Sequence, residues 1–364
     1  MKGYTADEKT YLWLDSFPLE AREKRALLTA AGEPKRLLKE FSLFQGELIK
    51  RKKESVYNSM CASLTDGGAY FQTLVERLER NGITPVFAFD GAYPKSLSLL
   101  KESAPIVLYA KGDVSLLKSR CFTAVGSRRT PANALKLASE VAGELSEAFT
   151  LVTGVADGGD GAVASGALAG DGKVICVLAG GFGSYPKHDI SLLKKVAKTG
   201  LILALHAYDV PVQKFSYEYR NAALAAIGEG TLVVGAGEKS GALITAKYAK
   251  KYKKPVFAFP YSVGIEAGTG ANALIKSGAK LTENAEDILS VFHLTAKKEK
   301  PEMQLTDDEK RLVGALKERG EAHISELSEA ANLPTFKATA ILSALEMKGL
   351  VAKLGGNCYA VIKK

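Results

Sequence analysis

The feature that most constrains the fold is a regular alternation of short apolar runs and helical patterns between about residues 121 and 291. The apolar runs are Cys121–Val125, Leu151–Val152, Val174–Leu178, Leu201–Leu205, Leu232–Val234 and Val256–Phe259. The helical patterns between them include Ala134–Phe149, Ala162–Ala169, Ile190–Ala197 and Leu243–Tyr252. Runs that are apolar throughout indicate strands covered on both faces. Strand–helix alternation with right-handed crossovers therefore predicts an α/β, Rossmann-like fold with an open, mostly parallel sheet.

Different patterns flank this region on both sides. Residues 1–82 carry apolar positions at helical spacing and predict an N-terminal helical domain of the SAM or helix-hairpin-helix type. The Rossmann-like domain is assigned to residues 83–295, with Phe87–Phe89 and Ile106–Tyr109 as its first strand-like runs. Residues 296–304 are charged, contain a proline and predict a linker. Residues 305–364 show three helices and a hairpin, which is the pattern of a winged helix.

Composition limits the classes of protein that the chain can belong to. It has 364 residues, of which 46% are hydrophobic and 24% charged, as in a globular protein of two or three domains. The net charge of +9 fits a polyanionic partner. The four cysteines lie far apart and predict reduced thiols, and the four histidines have no ligand spacing, so no metal site is expected. The sequence shows no signal peptide and no membrane span, which predicts a cytoplasmic protein.

Glycine-rich turns follow four of the predicted strands. They are Val125–Pro131, Thr153–Gly161, Ala179–Pro186 and Gly235–Gly241. Ligands of open α/β sheets bind outside the carboxyl ends of the strands, where such turns meet. Tight turns need glycine for structural reasons as well, so no single loop is diagnostic. Four converging loops with an arginine at one helix start predict a groove that binds phosphate.

The usual nucleotide fingerprints are missing from these turns. The sequence has no GxxxxGK[ST] motif, and Gly181-Phe182-Gly183 lacks the spacing and the downstream acid of GxGxxG. ATP hydrolysis and dinucleotide redox chemistry are therefore disfavoured, and no cofactor is expected.

The order and spacing of the motifs resemble the DprA/Smf family over roughly residues 85–281. The motifs are Tyr93-Pro94, Leu108–Gly112 after Pro105, Val125–Arg128, Thr153–Asp160, Tyr185-Pro186, Arg220-Asn221, Ser240–Ala246 and Gly270–Ala279. The resemblance implies a homodimer that holds single-stranded DNA by its phosphates. It also implies that the protein loads a RecA-type recombinase during DNA uptake, natural transformation and recombination, and that it is not an enzyme.

The resemblance also assigns DNA- or phosphate-binding residues. Those carried over from the motifs are Gly126, Ser127, Arg128, Gly154, Gly158, Asp160, Arg220, Asn221, Ser240, Gly241 and Thr245. Lys247 is added because Lys247, Lys250, Lys251, Lys253 and Lys254 decorate one predicted helix and its end, although these lysines are equally explained as a solvated face. Five aromatic residues are candidates for stacking on unpaired bases or for the core: Tyr185, Tyr208, Phe215, Tyr217 and Tyr219.

The chain departs from the family pattern at several of these positions. Asp157 stands where the family usually has a basic residue, and Ala222 replaces the second arginine of Arg-Asn-Arg. Small residues around Ala164-Ser165 replace a histidine, and Leu205-His206 replaces Ser-Glu. An acid at position 157 would repel phosphate.

Several interpretations stay open at the level of sequence. Asp157 and Asp160 are either a pair of carboxylates for acid–base chemistry or, for one of them, a helix N-cap. The Lys50–Lys53 cluster fits a solvated helix face better than a phosphate contact. The third helix of the winged helix has only Lys337 and Lys348 as cations, which favours a protein contact or weak DNA contact.

Two other functions remain as alternatives. One is a nucleotide hydrolase of the phosphoribohydrolase type, although Gly237–Gly241 does not match the turn of that family. The other is an adaptor that binds a small nucleotide in the same groove.

Overall fold

The computed structural model describes residues 3–154, 156–184, 190–295, 305–347 and 350–362. The chain forms two compact units, Met1–Ala296 and Lys297–Lys364. The linker predicted for residues 296–304 lies outside the described residues, and the predicted domain boundaries remain predictions. All four cysteines are free thiols, as expected. Among the described residues no helix is long and apolar enough to cross a membrane.

The first unit opens with six short helices. They are α1 (Ala6–Asp15), α2 (Ala21–Ala31), α3 (Pro34–Lys39), α4 (Gln45–Ile49), α5 (Glu54–Thr65) and α6 (Ala69–Arg80). A capping box of Thr5 and Glu8 starts α1. The Lys50–Lys53 cluster lies in the turn between α4 and α5, so its interpretation as a helix face was wrong.

A sheet of nine strands follows in the described part of this unit. The strands are β1 (Thr84–Phe87), β2 (Val107–Gly112), β3 (Cys121–Gly126), β4 (Thr150–Thr153), β5 (Val174–Leu178), β6 (Leu201–Ala204), β7 (Thr231–Gly235), β8 (Val256–Ala258) and β9 (Lys280–Leu281). Their order across the sheet is β1-β2-β6-β5-β4-β3-β7-β8-β9. Strands β3 to β9 pair in parallel, whereas β1 and β2 are antiparallel at one edge. The predicted fold class is confirmed.

Helices cover both faces of this sheet. They are α7 (Ala132–Leu145), α8 (Gly159–Ala169), α9 (Ile190–Thr199), α10 (Lys214–Ile227), α11 (Gly241–Lys251), α12 (Glu266–Lys276) and α13 (Glu286–Leu289). One apolar core joins a face of the sheet to α7, α8 and the N-terminal helices, and a second core joins the other face to α10, α11 and α12. A buried polar contact also ties the N-terminal helices to the sheet. Asp15 accepts hydrogen bonds from Tyr109 of β2 and Lys24 of α2, both at 2.9 Å.

Helices α7 and α8 pack with their backbones in close approach at Gly166. A methyl group on Gly166 would lie 2.0 Å from the carbonyl oxygen of Ser139. Gly166→Ala is therefore expected to lower the free energy of unfolding by about 1–3 kcal/mol, because rigid backbone must move to admit the methyl group. Gly161→Ala in the same helix is the control, since its methyl group would meet only Ala156 O, at 3.6 Å. Urea unfolding of both variants checks this, and equal midpoints would contradict it.

The second unit has the predicted winged-helix pattern. Its helices are α14 (Asp307–Arg319), α15 (Ile324–Ala330) and α16 (Thr335–Met347), and its sheet has the order β10 (Glu321–His323), β12 (Cys358–Val361), β11 (Val351–Lys353). Thr306 and Glu309 form a capping box that starts α14. Lys337 of α16 is paired with Asp308 at 2.7 Å, while Lys348 lies outside the described residues.

One predicted strand begins and ends elsewhere. The run Phe87–Phe89 was expected to be a strand, but β1 ends at Phe87. The carboxylate of Asp90 accepts a hydrogen bond from the Phe87 N–H at 2.8 Å, and the Asp90 N–H donates to the Phe87 carbonyl. This β-turn of residues 87–90, held by the Asp90 carboxylate, ends the strand.

Candidate functional site

The strand order reverses direction beside β3. Strand β4 pairs with one side of β3 and β7 with the other, so the chain continues in opposite directions from this point. In an open α/β sheet such a switch point opens a crevice between the carboxyl ends of the two diverging strands. The glycine-rich turns after β3, β4 and β7 all lie at this end of the sheet. The switch point therefore places the predicted groove where the sequence motifs are densest.

Glycines allow the loops at this crevice to touch one another. A methyl group on Gly126 would come within 2.3 Å of Val234 Cγ2. Gly158 has a φ of +85°, and a methyl group there would lie 2.6 Å from the Ser127 carbonyl oxygen. Ser127 N donates to the Gly235 carbonyl at 2.8 Å, which holds the turn after β3 against the end of β7. These positions need glycine because neighbouring backbone and, at Gly126, the Val234 side chain occupy the space of a side chain.

A cavity of about 350 Å³ opens at the crevice, and nine of the twelve predicted site residues line it. The turn after β3 contributes Gly126, Ser127 and Arg128, and Asp160 comes from the first turn of α8. The remaining five are Arg220, Asn221, Ser240, Gly241 and Thr245, from α10 and from the start of α11. The structure thus brings together side chains that lie more than a hundred positions apart in the sequence.

Asp160 and Arg220 face each other across Gly154 at the base of the cavity. A methyl group on Gly154 would lie 2.3 Å from both Arg220 Nη1 and Asp160 Oδ2. Asp160 is buried and accepts a hydrogen bond from the Gly126 N–H at 2.9 Å. Burial raises the pKa of Asp160, and the charge of Arg220 acts against that rise. Gly154 therefore lies directly under the cavity without lining it, and its lack of a side chain makes room for the two charges.

Arg220 and Asn221 connect α10 to the neighbouring elements. Arg220 is buried and donates from Nη1 to the Val177 carbonyl at 3.1 Å and from Nε to Asn221 Oδ1 at 2.9 Å. Asn221 donates in turn to the Gly241 carbonyl at 3.0 Å. Arg220 thus organises the base of the cavity while it adds positive charge there.

The start of α11 forms the opposite wall. Ser240 is the N-cap of α11, and its hydroxyl accepts a hydrogen bond from the Ala242 N–H at 3.3 Å. Thr245 lies one turn further on and is 1% exposed. Its Oγ1 has no hydrogen-bond partner among the described residues. A buried hydroxyl without a partner is costly, and a ligand in the cavity is the natural acceptor for it.

Several lining residues were not predicted from the sequence. Arg129 lines the cavity next to the exposed Arg128, and the other unpredicted lining residues are Val125, Ala156, Ala242 and Ile244. Tyr217, a predicted stacking candidate, lines the cavity as well. The sequence signal for Arg129 is its place beside Arg128 in the same turn. Phe215 is 67% exposed at the start of α10, the helix that also carries Tyr217. Phe215 and Tyr217 are thus the described aromatic candidates best placed for stacking.

Other predicted residues lie elsewhere. Lys247 is exposed on α11 and does not line the cavity. Lys250 binds Ser277, and Lys254 donates to the carbonyls of Ala226 and Gly228, so neither is a free surface cation. The Tyr219 hydroxyl donates to the Ser103 carbonyl, and burial raises the pKa of this tyrosine. Tyr219 is half-buried and packs against the second core. Tyr185 lies outside the described residues.

The departures from the family pattern have little effect on the cavity. Asp157 is exposed and does not line this cavity, and Ala222 is buried in α10. The N-cap of α8 is Gly158, so the N-cap interpretation of Asp157 or Asp160 was wrong. Within the described ranges, no three His, Cys, Asp or Glu side chains come together as metal ligands.

The fold and the site define a class: a Rossmann-like α/β protein whose switch-point cavity suits an anionic ligand, followed by a winged helix. Residues 84–293 match the family model described as DNA recombination-mediator protein A, and residues 296–357 match the DprA winged helix domain. The chain therefore belongs to the DprA/Smf family, as the resemblance predicted.

Individual relatives agree with this assignment. The chain is 35% identical to the DNA processing protein DprA of Bacillus subtilis over 57% of this chain and 70% of that protein. The X-ray structure of DprA from Streptococcus pneumoniae has a TM-score of 0.64 and 28% identity, over 79% of this chain and 98% of that one. A DNA processing protein A from Helicobacter pylori, whose structure concerns its single-stranded DNA binding mode, has a TM-score of 0.52 and 26% identity, over 58% and 95% of the two chains.

Proposed function

We propose that this protein binds single-stranded DNA by placing a backbone phosphate in the cavity at the switch point. The observation that carries the proposal is the meeting of Arg128, the N-terminus of α11 and the unpartnered Thr245 hydroxyl in one cavity. Helix N-termini and arginines are the groups that bind phosphate in proteins. The exposed rings of Phe215 and Tyr217 give bases that adjoin the phosphate a surface for stacking.

The bound strand is proposed to serve a RecA-type recombinase during DNA uptake and recombination. Membership of the DprA/Smf family and the description of its family model as a recombination mediator support this role. We also propose that the protein acts as a homodimer in the cytoplasm and is not an enzyme. Filament assembly by a RecA-type recombinase on single-stranded DNA, with and without this protein, tests the loading step. Light scattering tests the dimer.

The binding proposal is tested by fluorescence anisotropy of a labelled single-stranded oligonucleotide, with a duplex of the same sequence as the control. Phosphate contacts release counterions, so affinity for the single strand is expected to fall steeply as salt rises. Preference for the duplex, or no binding at low salt, would contradict the proposal. Ribose release from nucleoside monophosphates would instead support the hydrolase alternative.

Thr245→Val is expected to change stability and DNA affinity in opposite directions. Valine has the shape of threonine but no hydroxyl, so it removes a buried polar group without a partner and stabilises the free protein by about 1 kcal/mol. The complex with single-stranded DNA loses the hydrogen bond from the Thr245 hydroxyl to a charged phosphate. The affinity of the protein for single-stranded DNA is therefore expected to fall on the order of tenfold. Urea unfolding and anisotropy measure the two effects.

Thr231→Val provides the matched control for Thr245→Val. The Thr231 hydroxyl is also buried and without a partner among the described residues, but it lies at the amino end of β7, away from the crevice. The Thr231 variant should gain stability and keep its affinity for DNA. If the two variants bind single-stranded DNA with equal affinity, Thr245 does not contact the strand.

A further inference from the structure

A second cavity lies beside the first one and shares three residues with it. Its volume is about 500 Å³, and Ser127, Arg129 and Ser240 belong to both linings. Two carboxylates, those of Glu238 and Glu266, and the cation Lys239 also line it. We infer that this second cavity binds an unpaired DNA base that carries an exocyclic amino group, beside the phosphate in the first cavity. The inference rests on the proposed function.

The chemistry of the second cavity differs from that of the first. Glu238 and Glu266 offset the charges of Arg129 and Lys239, so this cavity lacks the net positive charge with which the first cavity attracts a phosphate, and a second backbone contact is disfavoured there. Carboxylates do accept hydrogen bonds from amino groups on base edges, and the pairing of Glu or Asp with cytosine N4 is a known form of base readout. Thymine presents its O4 carbonyl at the same place, and a carboxylate cannot hydrogen-bond to it. A contact with a carboxylate of this cavity should therefore favour cytosine over thymine.

Glu238 is the acceptor available for this contact. It lies in the turn that connects β7 to α11, it is exposed, and it has no hydrogen-bond or ion-pair partner within the described part of the chain. Ser240, two residues further on, lines both cavities. Glu238 therefore lies in the turn that leads into α11. A nucleotide whose phosphate binds at the start of α11 has this carboxylate next to it, where it can contact the base.

Arg129 supplies a planar surface at the shared wall. Its Nη1 donates to Glu266 Oε1 at 3.0 Å, and both side chains are largely exposed. The energy of such an exposed ion pair is small. Its effect is to orient the guanidinium, which stacks on base faces in single-stranded nucleic acids. Glu266 is therefore a positioning residue, and Glu238 makes the contact that distinguishes the bases.

The test compares oligo(dC) with oligo(dT) of equal length by fluorescence anisotropy at pH 8, using the full-length protein. The protein is expected to bind oligo(dC) roughly three- to tenfold more tightly, as for one base-specific hydrogen bond. Glu238→Gln should bring the two affinities together, because a carboxamide both donates and accepts. Replacing cytosine by 2-pyrimidinone, which lacks the amino group, should remove the preference of the unmodified protein to the same extent.

Asp157→Asn is the control for charge, because it removes one negative charge from an exposed turn at the same end of the sheet but outside both cavities. It should change the affinities for oligo(dC) and oligo(dT) by the same factor and keep their ratio. Equal binding of both oligonucleotides by the unmodified protein would overturn the inference. So would a preference for oligo(dC) that survives Glu238→Gln. Failure to bind either oligonucleotide at low salt would instead reject the proposed function, and the inference with it.

Discussion

Replacing Arg220 by methionine is expected to lower the free energy of unfolding by about 3 kcal/mol at pH 8. The substitution keeps the length of the side chain but removes the charge that faces the buried Asp160 across Gly154. It also removes the donors to Val177 O and Asn221 Oδ1. A buried carboxylate left without its opposite charge is among the costly changes in a protein interior.

The loss should depend on pH in a defined direction. Burial raises the pKa of Asp160, and losing Arg220 raises it further, because the attraction of Arg220 for the carboxylate opposes the rise. An acid whose pKa is higher in the folded state than in the unfolded state favours folding while it is protonated, at a pH below its unfolded pKa. This stabilisation is lost as pH rises through the folded pKa. The difference between the variant and the unmodified protein should therefore shrink as pH falls from 8 towards 5.

Arg120→Met is the matched control for Arg220→Met, because Arg120 also faces a carboxylate but does so at the surface. Arg120 binds Glu229 at 2.6 Å, and the two side chains are 47% and 37% exposed. Its loss should cost at most about 1 kcal/mol, since solvent screens an exposed pair. Urea unfolding of both variants at pH 8 and pH 5 provides the comparison. Equal losses, or an Arg220 effect that does not change with pH, would show that Asp160 does not depend on this charge.

The sheet could be predicted from the sequence because its central strands are apolar along their whole length. Strands β3 to β8 follow the predicted runs to within one or two residues. Strands β9 and β10 could not be predicted in this way. Lys280–Leu281 and Glu321–His323 are short and partly polar, and each is held as a strand by pairing with a neighbour, β8 or β12. Local patterns do not encode such pairing.

The sequence predicts those site residues whose identity is required by tight backbone turns. Gly126, Gly154 and Gly158 are needed because other groups occupy the space of their side chains, and the motif spacing contains that information. The orientation of side chains around a helix is a different matter. Thr245 faces the cavity, and Lys247 lies two residues further, which turns it by about 200° to the opposite face of α11. The charge of Lys247 suggested a phosphate contact, but the position of Lys247 around the helix axis excludes it from the cavity.

Arg220 shows a further limit of sequence reasoning. A cation in a motif is readily interpreted as a phosphate ligand, yet the structure directs two of its donors to Val177 and Asn221. Only the packing of α10 against the ends of β4 and β5 reveals that this arginine also supports Asp160. Arg128 and Arg129, in contrast, are exposed at the rim. Arg129 is paired with Glu266, whereas the charge of Arg128 is available to a ligand.

Arg128→Ala is accordingly expected to weaken binding of single-stranded DNA on the order of 10- to 100-fold, as for one or two hydrogen bonds between charged groups. The fold should be unchanged, because Arg128 is exposed and lies in a turn. Removal of one phosphate contact should also reduce the slope of log affinity against log salt by about 0.7. Anisotropy over a salt series measures both quantities.

Lys247→Ala separates a specific contact from a general effect of charge. Lys247 carries the same charge as Arg128 and lies in α11, whose first turns line the cavity, but it is itself outside the cavity. Its loss should change affinity by no more than about twofold, because a cation beyond contact distance acts only through screened attraction. If both variants weaken binding equally, the strand is held by the net charge of the protein and not by the cavity. If only Arg128→Ala does so, the phosphate lies where β3 and β7 diverge.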